Sequence, residues 1–99
     1  MDDKIKLFNK LSPHLFWEYD MSKMDIINLS HIIIERVFEH GLESDEIILF
    51  KLYSLDEIKN VVTQLDNLSG ATLEYLSSIF DINKRDFKCY GKKLSHILY

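Results

Sequence analysis

The chain has 99 residues, a net charge of −4, and 46% hydrophobic and 28% charged residues, enough for one small core and too little for two domains. Three Gly and one Pro argue against a turn-rich β-sandwich, and the single Cys89 excludes an intrachain disulfide. No run approaches the ~20 apolar residues of a membrane span, and MDDKIKLFNK has acids where a signal peptide has bases, so a cytoplasmic protein without a membrane partner is expected.

In chain order, Ile5, Leu7, Phe8 and Leu11 fall at helical spacing, and Asp2 and Asp3 lie at the end where the helix dipole favours acids. Ser12-Pro13 ends that helix, because proline has no N–H to continue the ladder. His14 to Asp20 (HLFWEYD) is a dense aromatic cluster without a period. Two readings are open for it. One is a lid of large side chains over one end of the core. The other is a partner-binding hot spot at Phe16, Trp17 and Tyr19, since Trp and Tyr dominate such sites.

The segment from Ser22 to Gly41 then predicts the central helix, over about residues 23–40. Ile26, Ile33 and Val37 stack on one side with Ile27, Ile34 and Phe38 beside them, an arc wider than an ordinary amphipathic stripe. Ser22 is read as its N-cap with Asp25 in the reciprocal position, and Gly41 as its left-handed terminator. Glu35 and Arg36 lie on its polar rim, where Arg36 either ties down the acidic Glu18–Asp20 turn or meets a partner.

A helix starting near Ser44 follows, with Ile47, Ile48, Phe50, Leu52 and Tyr53 as apolar surface. Ser54-Leu55-Asp56-Glu57 is a capping box, and Leu55, Ile58, Val61, Val62 and Leu65 form an amphipathic stripe behind it. Leu73, Leu76, Ile79 and Phe80 repeat that spacing, and Asn83 and Asp86 are placed to cap a final turn holding Phe87. The expected architecture is all-α: a small single-domain bundle (1–99) of five to six short helices around the central one.

Charge is uneven along the chain. Residues 1–82 carry 7 Lys+Arg against 15 Asp+Glu, whereas 83–99 carry Lys84, Arg85, Lys88, Lys92 and Lys93 against Asp86 alone. This basic C-terminal segment is either a solvated end or a salt-sensitive contact for an acidic partner or nucleic acid. The pair of helices within 55–80 has the size of a helix-turn-helix, but its second helix offers Thr72, Glu74, Ser77 and Ser78, none of them a base-reading cation.

Chemistry is sparse. His14, His31, His40, His96 and Cys89 lack the paired spacing of a zinc module, so no metal is expected. There is no phosphate loop, nucleophile elbow or paired-carboxylate motif, so neither cofactor nor enzymatic activity is expected.

Three stretches carry a family likeness: 11–20 with Leu15-Phe16-Trp17, 32–41 with Ile-Ile-Glu-Arg-Val through Val37, and 68–90 with Leu68-Ser69, Thr72-Leu73 and Phe87-x-Cys89-Tyr90. Together they resemble an uncharacterised family of short helical prokaryotic proteins often encoded next to AbiEii-type nucleotidyltransferase toxins. The resemblance implies an antitoxin-like interaction protein whose partner is that toxin, with Phe16, Trp17, Tyr19, Glu35 and Arg36 as candidate contacts. The alternatives are a small DNA-binding regulator using Lys84, Arg85, Lys88, Lys92 and Lys93, and an oligomeric scaffold.

Overall fold

The computed structural model describes residues 2–66, 68–88 and 90. In order, these form α1 (Asp2–Asn9), 3-10 turns at Pro13–Phe16 and Met21–Lys23, α2 (Ser30–His40), α3 (Glu43–Leu52), α4 (Leu55–Gln64), α5 (Gly70–Phe80) and a 3-10 turn at Lys84–Asp86. The fold is all-α, and the described residues contain no strand.

Helix α2 is the hub: it packs against α3, α4 and the Pro13–Phe16 turn, while α1 lies on α3. Its Ile33, Ile34 and Val37 are fully buried among Leu15, Leu49, Leu52, Ile58, Val62 and Leu76. The apolar arc therefore does meet neighbours on several flanks. Phe38, Phe50 and Phe80 join α2, α3 and α5 through edge-on ring contacts, with centroids 6.1–6.4 Å apart.

The central helix is shorter than its periodicity predicts, starting at Ser30 rather than near 23. Two side chains divert the backbone before it. Asp25 Oδ1 accepts the N–H groups of Ile27 (2.9 Å) and Asn28 (3.1 Å), and Oδ2 accepts the Asn28 amide (2.7 Å). Asp25 is thus itself the turn-former, not the third residue of a capped helix. The Ile26 carbonyl, which a continuous helix would offer to the N–H of Ser30, instead accepts the Tyr53 hydroxyl at 2.6 Å. Ile27 consequently points to solvent at 75% exposure.

Gly41 also ends α2 differently from expectation. Its φ of −80° and ψ of 164° are extended, not left-handed. What requires glycine is space, because a Cβ there would lie 2.4 Å from the Val37 carbonyl oxygen. The left-handed terminator is found instead at Asp81, with φ 52° and ψ 46°, after α5.

The Ser54–Glu57 capping box forms on α4 as read from sequence. Ser69 caps α5 by accepting the Thr72 N–H, and Asn83 accepts the N–H of Arg85 to start the last turn, after which Phe87 is buried.

Candidate functional site

The aromatic segment 13–20 is part lid and part display. Pro13 opens a 3-10 turn that drives Leu15 and Phe16 into the core, where Phe16 meets Phe8 with ring centroids 5.7 Å apart. Phe16 is therefore removed from the candidate partner contacts: only 1% of it reaches solvent. Trp17 faces the other way and is 79% exposed, while Tyr19 is partly exposed beside it. An indole left so far in water adds nothing to the core, and Trp is among the residue types enriched at interface hot spots.

This loop is tied at both ends. Asp45, buried at the start of α3, accepts the Ser12 N–H at 2.9 Å and the Ser12 hydroxyl at 2.8 Å, and also the N–H of Leu42 at 2.9 Å. Burial alone would raise the Asp45 pKa; the bonds from Leu42 and Ser12 and the field of His14 outweigh it and hold the carboxyl below its ordinary value. At the other end Arg36 Nη1 donates to the Leu15 carbonyl at 3.0 Å and forms an ion pair with Glu18. The Arg36 guanidinium also lies 5.9 Å from the Tyr19 ring centre. Of the two readings open for Arg36, the intramolecular one describes its contacts. It positions the loop that carries Trp17.

Glu35 does not join this surface. It lines a cleft of about 440 Å³ between α2 and α4 with His31, Asn60, Gln64 and Asp66 over Val61 and Leu65. Partial burial is the main reason its pKa is raised, with Arg36 opposing and Glu39 reinforcing the shift. Glu39, also on α2, accepts the N–H of Ser69 at 3.0 Å and so fastens the α5 entrance. On the polar rim of the central helix, Arg36 and Glu39 thus bind other parts of the fold, while His31 and His40 stay exposed. Among the described residues no group of three His, Cys, Asp or Glu side chains is placed to hold a metal ion.

The basic C-terminal candidates are only partly described. Lys84 pairs with Glu74 at 2.7 Å and Lys88 with Asp66 at 3.0 Å, so both lean on acids of the helical body. Arg85 is exposed, whereas Lys92 and Lys93 lie outside the described residues, as do Cys89, His96 and the apolar end of the chain. In the pair α4–α5, the second helix turns Glu74, Tyr75, Ser78 and Ile79 outward and contributes no cation of its own for phosphate.

Sequence reasoning passed over Asp45 and Tyr53 as tethers. Their partners, Ser12 and Ile26, are 33 and 27 residues away, beyond any local pattern.

The fold and this surface define a small helical domain that displays a tethered aromatic loop. Residues 11–62 match the model of a family of unknown function (DUF6922), and the chain belongs to that family. The matched span contains Trp17 and both of its tethers, Arg36 and Asp45, but stops before α5. No curated protein and no solved structure matches the chain. No helix among the described residues is long and apolar enough to cross a membrane.

Proposed function

We propose that this protein is a non-enzymatic interaction protein, antitoxin-like, whose partner is a nucleotidyltransferase toxin encoded beside it. The observation that carries the interaction reading is Trp17, 79% exposed on a loop held by Arg36 and Asp45. A loop held in place before docking loses less entropy on binding, and an exposed Trp on it offers a large apolar area to bury. The toxin as partner rests on the family resemblance of the three sequence stretches, not on the geometry.

The test is co-expression with the product of the adjacent reading frame. Wild-type protein restores growth or suppresses that product's activity, and Trp17→Ala loses the effect while remaining folded. If the wild-type chain changes neither growth nor activity, the antitoxin reading fails. The DNA-binding alternative draws on Lys84, Arg85, Lys88, Lys92 and Lys93, of which Lys84 and Lys88 would leave their exposed pairs with Glu74 and Asp66 for phosphate. A mobility shift on the protein's own upstream DNA, abolished by charge reversal at those five positions, would replace the first reading with the second.

A further inference from the structure

Helices α3 and α5 carry an apolar face that stays largely in water, although one of its rings, Phe50, also meets Phe38 and Phe80. Ile47 and Phe50 on α3, Leu55 at the start of α4, and Tyr75 and Ile79 on α5 are each between 42% and 53% exposed. Phe50, Leu55, Tyr75 and Ile79 line one shallow cleft, and the Tyr75 hydroxyl donates to Glu46 at 2.6 Å, fastening the α3 and α5 parts into one surface. Several large apolar side chains gathered on one face, rather than scattered singly, mark a contact surface.

The charges on this face say what fits it. Glu43, Ile47 and Lys51 are all exposed and fall at i, i+4 and i+8, one row slanting around the outer side of α3 with an acid at one end and a base at the other. The two charges are about 12 Å apart along the axis, too far to pair with each other. A second α3 laid antiparallel across Ile47, crossed so that the two slanted rows coincide, brings each Glu43 beside the other copy's Lys51. That is the self-complementarity a two-fold interface requires, since the same patch must suit both subunits.

We infer that this α3–α5 face docks a second copy of this chain in a two-fold, antiparallel arrangement centred on Ile47. None of these residues belongs to the Trp17 loop, so the two surfaces can be tested separately.

Light scattering after size exclusion, from micromolar to millimolar protein, reads the association. The wild type forms a dimer that dissociates on dilution and weakens with salt. Ile47→Glu and Ile79→Glu are monomeric throughout, with helical circular dichroism retained. Lys51→Glu, which leaves the core untouched, weakens dimerisation by roughly tenfold, because the altered pair occurs twice. The double variant Glu43→Lys/Lys51→Glu restores it by exchanging the two ends of the row. Trp17→Ala dimerises as the wild type does. A wild type that stays monomeric at millimolar concentration overturns the inference, and so does a double variant no stronger than Lys51→Glu. A dimer lost in Trp17→Ala overturns it as well, placing self-association on the loop.

Discussion

Asp45 and Glu35 are two carboxylates with opposite consequences for stability. The folded pKa of Asp45 is depressed, so its stabilising contribution is present above the unfolded value and disappears as pH falls through the folded one. Urea unfolding should show stability dropping below about pH 4, with a shallower drop in Asp45→Asn. Asp45→Ala should cost on the order of 2–3 kcal/mol at neutral pH, since it uncaps α3 and strands the N–H of Ser12. The folded pKa of Glu35 is raised, so its contribution favours the fold at low pH and is lost as pH rises through the folded value. Glu35→Gln should therefore raise the urea midpoint at neutral pH and leave it unchanged near about pH 4. Gly41→Ala should cost about 1–3 kcal/mol by steric conflict with the Val37 carbonyl, a penalty visible as a lowered melting temperature.

Among elements, α2 has the most to lose. Ile33 is completely enclosed, so Ile33→Ala should destabilise by about 2–5 kcal/mol in denaturant titration. A loss below that range would mean the core closes over the gap or α2 is not its hub. The turn before α2 depends on a single long-range hydrogen bond, from Tyr53 to Ile26. Tyr53→Phe should cost about 1 kcal/mol and speed amide exchange over 26–30, because the freed carbonyl no longer anchors the turn. The same residues show how far periodicity reaches. The apolar spacing from Ile26 to Phe38 is continuous, yet the helix begins only at Ser30, one turn into it. A tyrosine just past the end of α3 and one aspartate outweigh the local preference of residues 24–29, whose helical bonds would be few and near an end.

At the scale of the whole molecule, the Trp17 loop is the part whose removal should matter for binding and not for folding. Trp17→Ala should leave unfolding free energy within about 0.5 kcal/mol of wild type, because the side chain is already in water. Arg36→Ala should weaken partner binding as well, since the Leu15 carbonyl and Glu18 lose the guanidinium that positions the loop. Unchanged binding in both variants would place the interface elsewhere.

Most helices and caps could be read directly: the Ser54–Glu57 box, the α4 stripe and the Asn83 turn each depend on residues within a few positions of one another, whereas α1 already ends at Asn9, before the stop expected at Ser12-Pro13. The all-α class follows from the same local terms. Which large side chains remain outside did not. Phe16 and Trp17 are neighbours of similar character, and only the direction of the turn against α1 and α2 buries one and displays the other. Ile47 and Phe50 read only as apolar surface of their helix and Ile79 as part of an apolar spacing, because a pattern counts residues, not neighbours. They remain exposed because α2 is already enclosed by α3, α4 and the first 3-10 turn, and no element among the described residues covers the outer side of α3 and α5. Helix formation is a short-range property and is written in the order of residues. Coverage is a property of the assembled bundle, and only the tertiary structure decides it.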